Sequence, residues 1–513
     1  MKRLILWAAL ALQLALPAGT SALEQPLLHK LGTYHSGQFD ESAAEIVAYD
    51  KDTARVFVVN AHSGMIDVLD VRNPAEPMRT AVIDLSTYGA GVNSVAAHSG
   101  RLAMAVEAED KQAPGTVVLA DVSGNIQRTF AVGALPDMVA FSPDGRYVVA
   151  ACEGEPSADY SVDPEGCVAV IDLASGTVRL AGFGDYNGQE EALRSYGVRI
   201  SGPGASAAKD LEPEYAAISA DSSTAYVTLQ ENNAIAVVDL AQARVTGLLP
   251  LGLKDWKGEG LVLDASDKDG RINLASWPVF GCYMPDAITA FQAGGRTWLV
   301  TANEGDSREY GDYADEERLG KMDLDPAAFP DAESLKDKAA LGRLKVIPDL
   351  CDTDGDGDAD RIVAFGARSF SIWSEDGRRV YDSGDAFERT LATLYPGHFN
   401  ASSDENEADA RSDDKGAEPE AVAVGSVGGR IYAFIGLERM GGIMVYDVTN
   451  PTAPQFREYR LDREYYHEPK TGRAGDLGPE GMVFVPAARS HTGTNLLIVG
   501  NEVSGTTTLY EVR

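Results

Sequence analysis

The chain has 513 residues, 44% apolar and 24% charged, with 52 Gly, 24 Pro and 20 Tyr. This composition excludes wholesale disorder and favours many short strands and tight turns over long helices. Its 44 basic and 78 acidic residues give a formal net charge of −34, which excludes a duplex-DNA-binding footprint, argues against adhesion to anionic lipid, and suits an exported or cation-collecting protein.

Residues 1–22 read as an export signal: Met1-Lys2-Arg3 is the basic start, 4–17 is apolar, and Thr20-Ser21-Ala22 offers small residues for cleavage. The apolar stretch is short for a membrane span, and a retained anchor is the alternative reading. The mature chain, 23–513, is expected to be a single domain without a membrane span, periplasmic or secreted. Four cysteines fit an oxidising compartment. Cys152 and Cys167 flank one turn and are expected to form a hairpin disulfide. Cys282 and Cys351 would be the second pair, among three connectivities that four cysteines allow.

One unit recurs along the chain: a short motif ending in an acid, an apolar strand, a turn, a second strand closed by an acid, and a third strand ending in Asp. The starts are Ala44-Glu45, Val92-Asn93, Pro136-Asp137, Pro213-Glu214, Pro285-Asp286, Pro419-Glu420 and Pro479-Glu480. The second position reads Asn60, Glu107, Glu153, Glu231, Glu304, Glu438 and Glu502, and third strands end at Asp70, Asp121, Asp172, Asp239 and Asp447. From Glu45 to Asn93 is 48 residues, and from Asn93 to Asp137 is 44, the spacing of four-stranded propeller blades. The spacing predicts an all-β, seven-bladed β-propeller, in which 28–34 pairs beside Thr506–Val512 and latches the ring. Long insertions fall at 305–360 and 374–415. Strands at 361–373 and 379–381 complete the fifth blade or make an eighth.

Propeller geometry places the repeated acids on one face. Glu45, Asp137, Glu214, Asp286, Glu420 and Glu480 form an inner ring at the channel mouth. Glu107, Glu153, Glu231, Glu304, Glu438 and Glu502 form a partner ring. So many converging carboxylates repel unless protons, cations or basic side chains neutralise them. Hard oxygen donors point to Ca²⁺, with Mg²⁺ as the alternative. In the plainer reading each acid only accepts backbone N–H bonds at its turn. Lys209, Arg308, Arg368, Arg411, Lys415 and Arg439 lie in nearby loops and would hold a small anionic ligand, or simply pair with neighbouring acids.

Asp352, Asp354, Asp356, Asp358 and Asp360 alternate in a Cys-Asp-Thr-Asp-Gly-Asp-Gly-Asp-Ala-Asp run that matches the start of a calcium loop. Position twelve is Val363 where an EF-hand has Glu, so the match is partial. The loops 264–270 and 404–414 are weaker acidic candidates, read either as calcium sites or as solvated loops. The sequence contains no G-x-S-x-G elbow, Walker loop or H-E-x-x-H motif, and no catalytic residue is named.

The long motifs 263–273, Trp277-Pro278, Tyr283-Met284-Pro285-Asp286, 301–306, 368–373, 411–420 and 434–447 together resemble the choice-of-anchor I family. That family includes mesenchyme-specific cell-surface glycoproteins of biomineralising animals, and bacterial relatives labelled atypical alkaline phosphatases. The resemblance, over roughly 28–513, implies an extracellular seven-bladed propeller and a role near calcium. Through the bacterial relatives it also implies phosphatase activity as an expectation for this chain. It supplies no catalytic set. The chain lacks the surface anchors common at the family's C-termini, which favours periplasm or secretion. Cys152 and Cys167 stand where similar sequences are usually polar. Two functions follow: an exported cation-binding propeller that recognises a ligand or envelope partner, or a calcium-dependent phosphoesterase.

Overall fold

The computed structural model describes residues 26–513, so the signal sequence expected at 1–22 lies outside the described residues. Seven four-stranded antiparallel sheets follow one another around a ring. The first blade is Val47–Asp50, Arg55–Asn60, Met65–Asp70 and Met78–Asp84. The seventh takes Pro479–Val485, Asn495–Asn501 and Thr506–Val512 from the end of the chain and Leu28–His35 from its beginning. The predicted latch is therefore present, with Leu28 opposite Val512 and His35 opposite Thr506.

The packing follows from strand periodicity. Alternate side chains of a strand point to opposite faces, and each blade has a neighbour on both faces. Phe57 and Val59 pack with Leu102 and Met104 of the second blade, while Val56 and Val58 pack with Leu496 and Ile498 of the seventh. Second strands are therefore nearly continuously apolar and buried on both sides. Each of the seven blade junctions carries one such cluster.

The Asp that ends third strands has a local cause. The Oδ1 of Asp121 accepts the N–H groups of Ser123 (2.8 Å) and Asn125 (3.0 Å), and that of Asp172 accepts those of Ala174 and Ser175 (both 3.0 Å). These are Asx turns that reverse the chain into the fourth strand.

The blade count is seven. Ser369–Ser374 and Arg379–Asp382 are the third and fourth strands of the fifth blade, after Ile288–Ala293 and Arg296–Asn303. Ile362–Ala364 instead joins a separate five-stranded sheet with Leu253–Asp255, Val279–Cys282, Lys345–Val346 and Glu317–Arg318. This sheet rests on its own apolar cluster, including Trp256, Leu341, Ile347 and Phe365. Much of the 305–360 insertion thus has a core of its own.

The expected disulfides are not formed: all four cysteines are free and buried. Cys152 and Cys167 do face each other across the second and third strands of blade three. Their sulfurs occupy the space left by Gly133, where a Cβ would stand 2.5 Å from Cys167 Sγ. They pack there as two reduced apolar side chains. Cys282 and Cys351 are unbonded parts of the insertion core.

Leu28 is 1% exposed and packs between blades six and seven. Leu28→Ala should lower the unfolding free energy by about 2–5 kcal/mol, read from urea denaturation. A loss well below that range would mean that the latch is not part of the cooperative core.

Candidate functional site

The inner acids sit where they do because the first strands begin with a bulge. The ladder skips one residue between Pro136 and Met138, and two between Pro419 and Val422 and between Pro479 and Met482. Asp137, Glu420 and Glu480 lie in these irregularities. The same pattern appears at Glu45, where the N–H groups of Glu45 and Val59 bond to the carbonyls of Val59 and Ile46, and at Glu214 and Tyr215 opposite Thr228. A bulge re-aims the unpaired residue, which brings these acids to one face. The partner acids Glu153, Glu231, Glu304, Glu438 and Glu502 follow the second strands within one or two residues.

Three triads result whose carboxylate oxygens lie within 4.8 Å of one another: Glu45/Glu480/Glu502, Asp137/Glu153/Glu214 and Glu304/Glu418/Glu438. The first two share a rule. Each takes both acids of one blade and the first acid of the next, blade seven with blade one and blade three with blade four. Glu231 and Asp286 continue the arc through their charges on Glu214, and Glu420 through its charge interaction with Glu438, Glu304 and Glu480. Glu107 lines the same mouth with Lys111 3.7 Å away. Where the series breaks, the residues are amides: Asn60 bonds Asp67 and Asn93 donates to the Pro136 carbonyl.

Charge separates the triads. In the third, Lys415 Nζ lies 2.6 Å from Glu304 and 3.3 Å from Glu418, and Arg439 lies 3.1 Å from Glu418 and 2.9 Å from Glu438. Arg411 also pairs with Glu418. Burial alone would raise Glu418, but Lys415, Arg411 and Arg439 outweigh it and hold the carboxyl well below its usual range. The first two triads have no ion pair with a basic side chain among the described residues. Burial, then repulsion from Glu502, lifts Glu45 to about 8. Burial, then Glu155 and Glu107, lifts Asp137 to about 7. Burial with neighbouring acids also raises Glu153, Glu214 and Glu480 well above the normal range. Glu480, Glu420 and Glu231 each keep one buried carboxylate oxygen with no hydrogen-bond donor.

The basic residues divide in two. Arg308 is internal, 2.9 Å from Glu212 and 3.2 Å from Asp210. Arg368 is also internal, bonded to Glu388 and to the carbonyls of Asp264, Ser412 and Asp414. Lys209 stands apart, 3.8 Å from Asp163. Arg411, Lys415 and Arg439 instead line a cavity of ≈ 380 Å³ with Lys345, Asp306 and Glu231. Glu155 lines both this cavity and the ≈ 300 Å³ channel mouth that holds Glu45, Asp137, Glu153 and Glu480. An acidic and a basic compartment therefore adjoin. Tyr215 lines both the mouth and a neighbouring cavity bordered by Val47, Val95, Val139 and Val483.

In the separate loop, Asp352, Asp354 and Asp356 offer oxygens within 4.8 Å of one another. Asp352 accepts N–H bonds from Gly355 (2.6 Å) and Gly357 (3.1 Å), and Asp360 accepts one from Thr353 (2.7 Å). The exposed loop is thus folded around its own carboxylates. Asp358 keeps a buried oxygen without a donor.

Sequence reading missed Glu418, Glu155, Asp306 and Lys345. Glu418 had a faint signal, since it directly precedes the repeated Pro-Glu start. Lys345 reaches the cavity from the insertion sheet and had none.

A choice-of-anchor I domain profile matches residues 45–451. The chain belongs to the choice-of-anchor I family. It is 34% identical over 200 residues to Gigasin-3a of Magallana gigas, covering 35% of this chain and 67% of that protein. It is 30% identical over 329 residues to a mesenchyme-specific cell surface glycoprotein of Strongylocentrotus purpuratus, covering 54% of this chain and 41% of that one. The chain thus spans less than half of the glycoprotein. Among solved structures it is similar to Kuenenia stuttgartiensis hydrazine synthase (TM-score 0.47, 13% identity, 94% of this chain and 100% of that chain). It is also similar to a streptogramin B lyase (TM-score 0.46, 10% identity, 95% and 98%).

The raised carboxyls fix a pH dependence. Their folded-state pKa values exceed the unfolded ones, so the stability they allow is complete below about pH 4 and is lost as pH rises through 7–8. In chelator, the melting temperature should fall steadily from pH 5 to pH 9. A flat or rising profile would show that the mouth acids are not strained by their charge.

Proposed function

We propose that this is an exported propeller that binds divalent cations at its channel mouth and there recognises an anionic ligand or a partner outside the inner membrane. The carrying observation is the pair of triads Glu45/Glu480/Glu502 and Asp137/Glu153/Glu214, whose crowded carboxylates have no ion-paired basic side chain among the described residues. Carboxylate oxygens suit Ca²⁺ first and Mg²⁺ second. The loop with Asp352, Asp354 and Asp356 would hold a further Ca²⁺ that stiffens the insertion. Export is supported by the N-terminal signal pattern and by the cell-surface description of the Strongylocentrotus purpuratus relative. No described helix is long and apolar enough to cross a membrane.

Glu480→Gln separates cation binding from ordinary turn chemistry by giving two shifts of opposite sign. In chelator it should raise the melting temperature at alkaline pH, because an amide cannot take on the charge that burial and the neighbouring acids oppose. With Ca²⁺ it should shrink the stabilisation seen in the wild type, which is roughly 2.7 kcal/mol at a hundredfold excess over Kd. A Ca²⁺ response equal to that of the wild type would remove Glu480 from any cation site.

A second reading, a calcium-dependent phosphoesterase, is favoured by one feature. Lys345, Arg411, Lys415 and Arg439 line one cavity beside the acidic mouth, and guanidinium groups match phosphate oxygens. Inorganic phosphate and a phosphomonoester should both bind in a salt-sensitive manner that Arg411→Met weakens. Binding without turnover supports recognition; Ca²⁺-dependent turnover supports the esterase; no binding by either probe removes the anionic ligand from both readings.

A further inference from the structure

The end of the ring remote from the mouth carries a basic cavity of its own, between blades five and six. The first strand of blade five starts beside the mouth, just after Asp286, and ends at Ala293, where the chain turns into the second strand at Arg296. Around this turn Arg296, Trp298, Arg378 and Val380 of blade five and Thr449 and Thr452 of blade six line ≈ 850 Å³.

Strand register puts two arginines on this side of the sheet. Trp298 stands opposite Ser374 and belongs to the apolar cluster shared with blade six. The Ser374 N–H bonds to the Arg378 carbonyl (2.9 Å), so Arg378 continues the same row. Arg296 lies two residues before Trp298 and points the same way. Arg379 turns to the opposite face, where its guanidinium lies 5.3 Å from the Tyr283 ring centre and 3.1 Å from Glu259.

Nearby acids leave Arg296 and Arg378 unneutralised. Among the described residues neither forms an ion pair, whereas their neighbours Arg379 and Arg430 pair with Glu259 and Asp447 (2.7 Å). In the turn itself, Glu375 acts on Tyr226, on the blade-four side. Asp376 accepts the Ser374 hydroxyl, which holds its carboxyl below the usual range, with the Arg378 charge as a lesser cause. Two arginines without an acid partner on one cavity stand out in a chain of net charge −34.

The cavity also departs from the blade plan. Asn450-Pro451-Thr452-Ala453-Pro454 repeats the turn Asn73-Pro74-Ala75-Glu76-Pro77 of blade one, with the same bond from the fourth N–H to the first carbonyl (3.1 and 3.0 Å). In blade one the outermost strand of blade seven covers that turn so closely that a Cβ on Gly32 would stand 2.6 Å from the Pro74 oxygen. In blade six the equivalent turn borders open space.

We propose that this cavity binds a saccharide-sized polyanion bearing phosphate or sulfate esters. Guanidinium groups present planar donor forks that match such oxygens. Thr449 Oγ1 accepts the Ile431 N–H (2.9 Å), which leaves its O–H as a further donor at the wall. The volume is that of a small-molecule site and exceeds the space one inorganic anion fills. Trp298 and Val380 supply an apolar wall against which a sugar ring packs. The site is independent of the mouth, because the two lie at opposite ends of the same strands.

Hydrogen exchange on the full chain tests this, in chelator so that no bound cation recruits the anion to the mouth. The probes are sucrose octasulfate and glucose 1,6-bisphosphate, with sucrose as the uncharged control. At least one ester should slow exchange in 293–297 and 449–453, less so at high salt, and sucrose should not. The tighter of the two probes assigns the ester. Arg296→Met/Arg378→Met, at two exposed positions, should raise the probe concentration needed for this protection at least about tenfold. No protection by either ester overturns the site. Protection that sucrose reproduces, or that is unchanged in the double variant, overturns it as well. None of these failures touches the mouth triads or the cavity of Arg411, since the protected segments contain neither.

Discussion

Like charges forced together by ring closure are the constraint on which this structure turns. A seven-bladed ring brings the start of each first strand and the end of each second strand to one mouth. In blades three to seven both positions are acidic. Water cannot screen carboxylates held this closely in a protein surround, so each needs a proton, a basic side chain or a metal ion. The molecule uses the second solution at Glu304/Glu418/Glu438, where Arg411, Lys415 and Arg439 converge. Among the described residues no basic side chain forms an ion pair with Glu45/Glu480/Glu502 or Asp137/Glu153/Glu214; Arg439 and Lys111 act only as more distant charges on Glu502 and Asp137. Difference in neutralisation, more than difference in geometry, marks those two triads as the cation candidates.

The scaffold can carry this strain because its stability is distributed. Every junction between blades is an apolar cluster fed by alternate faces of two second strands, and the first and last strands of the chain close the circle. Electrostatic cost at the mouth is therefore set against burial spread over seven interfaces. The insertion sheet adds a further core, including Trp256 and Phe365, next to the mouth. It also carries Lys345 into the basic cavity. Insertion and ring thus build one functional face between them.

Much of the ring was legible in the residues. Pro-acid starts, second-strand acids and Asp-ended third strands repeat because each blade repeats the same turns, and the latch was visible as a spare strand at 28–34. The count of seven was legible too; what stayed open was an eighth blade from 361–381, since Ile362–Ala364 and Ser369–Ser374 are near neighbours in sequence yet enter different sheets. Arg308 and Arg368 looked like ligand-binding residues because they neighbour the acids. Only the fold shows that both are spent on internal carboxylates and carbonyls. The cysteines illustrate the opposite case: Cys152 and Cys167 were correctly placed opposite each other, but facing positions do not fix the oxidation state.

The central claim is that cations replace protons on the mouth carboxylates. Calorimetric titration of the full chain with Ca²⁺ at pH 7, in buffers of different ionisation enthalpy, measures the protons released per ion bound. The account predicts net proton release at pH 7, because burial and neighbouring acids push Glu45 up to about 8 and Asp137 up to about 7. The release should diminish as the starting pH is raised to 9. Calcium binding with a heat independent of buffer at pH 7, or no binding at all, would contradict it.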